Sequence, residues 1–194
     1  QWSKKYAHEL SGGMQQRAMI AAVLIREPNL ILADEPTTAL DATVQHQILR
    51  FLATLRSKID ATLILISHDL AVVSEVCDRV YVMYGGQIVE EGKTSEIFAD
   101  PKHPYTRALV EAILDPFAPK MELRPLEGSP PDMADPPSGC RFHPRCSAAF
   151  TGCNRIEPAL TGLGGGRKAR CRLYTEGKVA LPDSEAALSE GKAA

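Results

Sequence analysis

Asn29 to Thr37 reads NLILADEPT. A short, unbroken apolar run of this kind marks a strand buried on both faces of a parallel sheet. It ends in two adjacent carboxylates, Asp34 and Glu35, which places them at the carboxyl edge of that sheet, where open α/β sheets bind ligands. Thr62 to Ile66 (TLILI) repeats the pattern and runs into Ser67-His68-Asp69. Between the two runs, the segment from Thr43 to Lys58 sets Val44, Ile48, Leu52 and Leu55 on one helical face. Strand, helix, strand predicts an α/β fold with a largely parallel sheet.

Working outward, Ser11 is an N-cap for a helix that runs to about Arg26 and stops before Pro28. A short helix spans Leu70 to Val76. Arg79 to Met83 and Gln87 to Glu91 flank Tyr84-Gly85-Gly86 and read as a hairpin, expected as an antiparallel edge on the parallel sheet. Ser95 to Ala99 and Pro104 to Leu114 are two further helices. Residues 115–138 hold seven prolines and little periodicity, which reads as a linker. Four of the five cysteines, Cys140, Cys146, Cys153 and Cys171, fall in a small irregular segment, and the polar tail beyond Tyr174 reads as disordered. The expected divisions are therefore 1–100, 101–138, 139–174 and 175–194.

Across 194 residues the formal net charge is -2, which argues against wholesale nucleic-acid binding. It is unevenly spread: Gly139 to Tyr174 carries seven Arg and Lys against Glu157 alone, a net of +6. The longest apolar run, Ala18 to Ile25, falls far short of the roughly 18 residues that cross a bilayer. The chain opens on Gln1 without an initiator Met, signal or lipidation motif, as a fragment of a cytosolic protein would. Clustered thiols without a secretion signal point to a metal or redox role more than to disulfides.

Leu10 to Arg17 reads LSGGMQQR. Two glycines at a helix start expose backbone N–H groups, and with the Ser11 hydroxyl and the helix dipole they suit a terminal phosphate. Asp34 suits Mg²⁺, held through water, and Glu35 suits proton abstraction from an attacking water. His68 could donate to a phosphate in transfer. Each has a plainer reading: a helix cap, an acidic strand end, a structural histidine, and for Asp41 the N-cap of the next helix.

The order and spacing of these pieces are more telling than any one of them. Here the chain resembles the ATP-binding-cassette family: LSGGMQQR looks like its signature, ILADEP its Walker B strand, TALD its D-loop and SHD its switch histidine. The resemblance implies a partial P-loop NTPase sheet with flanking helices. It also implies that Ser11, Gly12, Gly13 and Gln15 contact the γ-phosphate of ATP held by an opposite subunit. Asp34 becomes the Mg²⁺ residue, Glu35 the general base, Asp41 an inter-subunit contact and His68 the γ-phosphate sensor. No G-x-x-x-x-G-K-S/T occurs in the sequence, and Gly164-Gly165-Gly166-Arg167-Lys168 fails the spacing. The chain alone is therefore expected neither to hold ATP tightly nor to hydrolyse it.

Downstream, Lys102-His103-Pro104-Tyr105-Thr106-Arg107-Ala108-Leu109 resembles a stretch near the end of oligopeptide and dipeptide importer ATPases, as does ADEPTTALDATVQHQI. The plainer reading of the first is a Pro-started amphipathic helix. Gly139 to Cys146 (GCRFHPRC) matches an element of the same branch. The cysteine spacing, C-x5-C-x6-C-x17-C, lacks the close C-x2–4-C pairs of structural zinc sites. The resemblance implies a 4Fe-4S cluster on the four cysteines, with zinc or unligated thiols as alternatives. The surrounding +6 would offset the net negative charge of four thiolates around either metal. The bland reading of the segment is a metal-stapled appendage. Cys77 reads as a core residue.

The importer reading implies a second ATP-binding subunit (the same or a different chain), transmembrane permease subunits and, indirectly, an extracytoplasmic substrate-binding protein. It puts the chain peripherally on the cytoplasmic face of the membrane. A DNA-repair or translation ATPase of the same family is the first alternative, although those proteins interrupt or duplicate the cassette. A metal- or nucleic-acid-binding module with a remnant cassette is the second, with few aromatics for base stacking beyond Phe142 and Phe150.

Overall fold

The computed structural model describes residues 5–37, 42–58, 61–112 and 126–175. Asp41, Leu55 and the tail from Glu176 onward lie outside what is described of backbone or side chain. The chain divides into two compact units between Cys77 and Asp78, inside the stretch that the motif order groups as 1–100.

The first unit contains α1 (Gly12–Leu24), β1 (Leu30–Asp34), α2 (Ala42–Lys58), β2 (Thr62–Ile66) and α3 (Leu70–Val76). Every one answers to a sequence signal, and β1 pairs with β2 in parallel, from Leu30 opposite Thr62 to Asp34 opposite Ile66. Leu49 of α2 and Val72 and Val76 of α3 form a buried cluster, onto which Leu63, Leu65 and half-buried Cys77 pack. Cys77 is thus placed as its apolar neighbours imply. Gly13 is needed for packing: a Cβ there would sit 2.6 Å from a Val44 methyl of α2.

One expectation fails. The strands are not buried on both faces. Leu30, Leu32, Ile64 and Ile66 alternate onto a face exposed at 55%, 65%, 47% and 47%. Both helices of the core cluster lie on the other face, and among the described residues none covers this one. Apolar residues on both faces of a parallel pair are the pattern of a sheet covered twice.

The second unit contains β3 (Arg79–Tyr84), β4 (Gln87–Lys93), α4 (Thr94–Ala99), α5 (Pro104–Glu111), β5 (Thr161–Gly164), β6 (Arg167–Ala169) and α6 (Arg172–Thr175). The hairpin turns at Gly85 and Gly86, both at positive φ (53° and 74°), as a two-residue turn between twisted strands requires. It is not an added edge of the parallel pair. It forms its own antiparallel sheet in the order β3-β4-β6-β5, with Glu90 opposite Ala169 and Glu91 opposite Lys168. The cysteine segment is accordingly less irregular than its sequence suggests, because TGLGGGRKA supplies two of that sheet's four strands.

Glu90, fully buried, ties this unit together. Its carboxylate accepts from the backbone N–H of Lys102 (2.9 Å) and His103 (2.8 Å) and from Arg167 Nη2 (2.8 Å). His103 caps α5: its Nδ1 accepts from the Tyr105 N–H at 3.1 Å, and Pro104 opens the helix without needing a donor. Burial holds the His103 imidazole at a pKa of about 4, against the partial opposition of the Arg170 carbonyl. As pH falls below 6.5 the unfolded chain takes up a proton that the folded unit refuses. Stability is therefore full above pH 6.5 and lost progressively down to pH 4, by about 3 kcal/mol. Denaturant melts across that range should show the loss, and His103→Gln should flatten it.

Candidate functional site

In the first unit, the parallel register brings the ends of β1 and β2 side by side. Glu35, one residue past β1, donates its backbone N–H to the Ile66 carbonyl at 2.9 Å. Its φ is +46°, a left-handed conformation that costs a non-glycine residue about 1–2 kcal/mol. Such geometry is found where a turn must aim a side chain. The Glu35 carboxylate meets His68 Nδ1 at 2.8 Å, although 33 residues separate them.

Asp69 follows His68 in sequence and directs its carboxylate to the helix after it. That carboxylate accepts from the N–H groups of Ala71 (3.0 Å) and Val72 (3.3 Å), capping α3. Its other oxygen accepts from Gln45 Nε2 of α2 at 2.9 Å. The hydrogen bond to Glu35, then the Glu35 charge, and more weakly Asp69, raise the His68 pKa above 6.5 despite slight desolvation. The His68–Glu35 pair is therefore ionic below that elevated value while Glu35 stays ionised, and the charge on His68 is lost as pH rises through it. In Glu35→Gln, NMR titration of His68 should return toward 6.5.

Asp34 closes β1, opposite Ile66. Ser11 precedes α1 as its N-cap. Its carbonyl accepts from Met14 and Gln15 at 2.9 Å each, while its hydroxyl makes no capping bond. Gln15 is otherwise engaged: its Nε2 donates to the carbonyls of Ala7 (2.7 Å) and Leu10 (3.2 Å), so here it braces the loop before the helix. Gly12 and Gly13 form the first turn, and Gly13 also seats Val44. The structure thus joins Glu35 to His68 directly, and puts Asp34 at the same strand end. Sequence reasoning missed Gln45 and the capping role of Asp69, although a Ser-His-Asp before a helix carries an N-cap signal.

In the second unit, Cys140, Cys146, Cys153 and Cys171 line one small pocket with Phe142 and Phe150 on its walls, and no Asp or Glu lines it. Burial pushes Cys146 up to about 12 and Cys171 to about 11, and the neighbouring thiols push further in the same direction. Cys140 is raised for the same first reason. Thiolates here therefore require a cation. Among the described residues no three His, Cys, Asp or Glu side chains converge closely enough to hold one metal ion. His143 lines the pocket with its Nδ1 on the Cys140 carbonyl at 2.9 Å.

The basic residues around the pocket are hydrogen-bonded within the second unit. Arg141 donates to the Gly85 carbonyl, Arg145 to those of Leu126 (3.2 Å) and Glu127 (2.9 Å), and Arg170 to those of Ile88 and Pro158, both at 3.0 Å. Arg167 pairs with Glu90, Lys168 with Glu91 at 2.9 Å, and Arg172 lies over the Phe150 ring. Sequence counting registers these charges but not their partners.

Residues 1–38 match the family described as ABC transporter, and residues 89–153 match the oligopeptide/dipeptide transporter, C-terminal region. The dipeptide transport ATP-binding protein DppD of Haemophilus influenzae is 49% identical over 166 residues, covering 86% of this chain and 50% of its own. DppD of Caldanaerobacter subterraneus is 44% identical over 173 residues, 89% of this chain and 53% of its own. The oligopeptide transport ATP-binding protein AppD of Bacillus subtilis is 47% identical over 173 residues, again 89% and 53%. Among solved structures, cbiO1 of Clostridium perfringens overlaps 48% of this chain and 38% of its own, at 36% identity and a TM-score of 0.46. The chain spans about half the length of the curated relatives it matches. Its motifs, in their order, and its 44–49% identity to these relatives across most of its length are those of the ATP-binding-cassette family and of its oligopeptide/dipeptide transporter branch.

Proposed function

We propose that this chain carries the signature and hydrolytic residues of an ATP-hydrolysing, energy-coupling subunit of a peptide importer. The observation that carries this reading is the 2.8 Å contact between Glu35 and His68 at adjacent strand ends, within a sequence 44–49% identical to peptide transport ATP-binding proteins. Glu35 is placed to accept the proton of a water attacking the γ-phosphate. His68, fixed through Nδ1, keeps its other ring nitrogen for a phosphate oxygen. Bound Mg²⁺, held by Asp34, would neutralise charge on the phosphates. Ser11, Gly12 and Gly13 would serve the nucleotide of a second ATP-binding subunit, with Asp41 at that contact, while Gln15 supports the loop.

No described helix is long and apolar enough to cross a membrane. We infer a peripheral place on the cytoplasmic face, beneath permease subunits fed by an extracytoplasmic binding protein. The exposed face of Leu30, Leu32, Ile64 and Ile66 suits cover by the P-loop-bearing half of the same subunit. A repair or translation ATPase is not favoured, because the transporter C-terminal region matches 65 residues here, 89–153. A nucleic-acid module is disfavoured by arginines that are hydrogen-bonded within the second unit. The test is magnesium-dependent phosphate release by the 194-residue chain, alone and fused in frame behind a P-loop-bearing half. Activity only in the fusion is expected. An inactive fusion that binds ATP would overturn the hydrolytic assignment, and activity of the chain alone would overturn the need for a P-loop.

For the cysteine pocket we infer a 4Fe-4S cluster, which when bound supplies one-electron redox capacity. The donor set fits: four thiols around apolar walls, with no carboxylate. A single zinc ion needs its ligands drawn to one point, about 2.3 Å from each sulfur. A cluster core takes one thiolate on each iron, so its four sulfurs need not converge on a single point. Iron and acid-labile sulfide on anaerobically purified protein test this, and one zinc per chain defeats it.

A further inference from the structure

We propose that the four-cysteine pocket is a reloadable site on a scaffold that folds without its occupant, so that metal release and unfolding are separate events. This rests on the reading of the pocket as an iron–sulfur site. In small metal-stapled domains, the free energy of metal binding is the free energy of folding. Here the contacts that hold the segment to the rest of its unit are made by the neighbours of the cysteines, while the thiols accept only from backbone N–H groups of their own loops, those of Phe142 and His143, Ala148 and Leu173.

Next to Cys140, Arg141 donates to the Gly85 carbonyl of the hairpin turn. Phe142 then buries its ring, 2% exposed, against Tyr84, Tyr105 and His103 at centroid distances of 5.0, 5.4 and 5.7 Å. Before Cys146, Arg145 reaches the carbonyls of Leu126 and Glu127 and, at 3.4 Å, the Tyr84 hydroxyl. Before Cys171, the Arg170 backbone N–H donates to the Val89 carbonyl at 2.8 Å, and its guanidinium bonds the carbonyls of Ile88 and Pro158.

Cys153 lacks such a neighbour, but its loop is locked to that of Cys140. The Cys140 N–H donates to the Cys153 carbonyl at 2.8 Å, and the Ser138 hydroxyl to that of Asn154 at 2.7 Å. Gly139 lets the two loops touch: a Cβ there would lie 2.5 Å from the Cys153 carbonyl oxygen. Docking by aromatic burial, strand pairing and arginine–carbonyl bonds leaves the thiols free to bind, release and rebind metal. The segment is thereby suited to report iron supply or oxidant through occupancy of its pocket.

The experiment uses the whole 194-residue chain with Cys140→Ser, Cys146→Ser, Cys153→Ser and Cys171→Ser combined. Hydrogen exchange of the amides in the β4–β6 pairing should keep protection within about tenfold of the parent, as for a unit that still opens only through its own unfolding. Phe142→Ala, with every cysteine present, should lose about a hundredfold or more. A serine variant as unprotected as Phe142→Ala would overturn the proposal.

A second arm needs no substitution. The parent chain is stripped with chelator and oxidant, its thiols are re-reduced, protection is checked, and equal amounts of ferrous and ferric iron are offered with sulfide, without denaturant. Return of iron and visible absorbance is expected, whereas uptake only after unfolding and refolding would overturn the proposal. Iron and sulfide on the untreated chain report separately on the cluster reading. Zinc there, or no metal, would sink that reading, while the exchange data still decide whether the scaffold stands alone.

Discussion

Replacing Glu35 by glutamine in the P-loop-bearing subunit is expected to lower ATP hydrolysis by about a hundred- to ten-thousandfold, the range for loss of a general base. Nucleotide affinity should change little, because the amide keeps the shape of the carboxylate and, on this assignment, Glu35 accepts a proton without gripping phosphate. Steady-state phosphate release against nucleotide titration separates the two. The positive φ of Glu35 and its N–H bond to Ile66 belong to the backbone and survive the substitution. A variant that loses ATP affinity as steeply as turnover would place Glu35 among binding residues. His68→Ala removes the partner at 2.8 Å and should reduce turnover as well, with affinity again the control.

Arg167→Met should destabilise the second unit by about 3–5 kcal/mol, the usual cost of stranding a buried charge. Glu90 is fully buried and Arg167 nearly so, and their bond is 2.8 Å. Unlike a surface ion pair, this one has little solvent to replace the missing partner. Denaturant melts of parent and variant at neutral pH measure the difference. Adding Glu90→Leu should not restore stability, because the carboxylate also accepts from the Lys102 and His103 N–H groups, which would be left unmet.

The elements of the first unit were legible because each is local. The strand runs LILAD and TLILI, the stripe on α2 and the stop before Pro28 depend on residues within a dozen positions. The Glu35–His68 pair was legible as two strand ends, and parallel pairing does the rest: once Asp34 lies opposite Ile66, Glu35 and His68 are neighbours. Gln45 was not legible, since a glutamine on a helix gives no sign of the Asp69 carboxylate it will meet. The two-sided burial expected of β1 and β2 failed for a related reason. An apolar run states that a face is suited to cover, and the described elements cover only one.

The second unit departed further from its sequence. TGLGGGRKA has no β-branched alternation to announce strands, and its pairing with β4 spans some 77 residues, as Glu90 to Arg167 does. Charge counting could register +6 around the cysteines. It could not show that most of those arginines bond carbonyls and carboxylates within their own unit.

The sequence by itself determined what NLILADEPT announced: a strand ending in paired carboxylates, in a chain whose motif order belongs to one family. These are properties of residue type and short spacing, which survive without coordinates. Only the tertiary structure decided which carboxylate meets His68, what Glu90 holds together, and that the thiols share a pocket built by their neighbours. Those are contacts between residues tens of positions apart, set by strand register and by where buried groups find partners, and no local pattern encodes them.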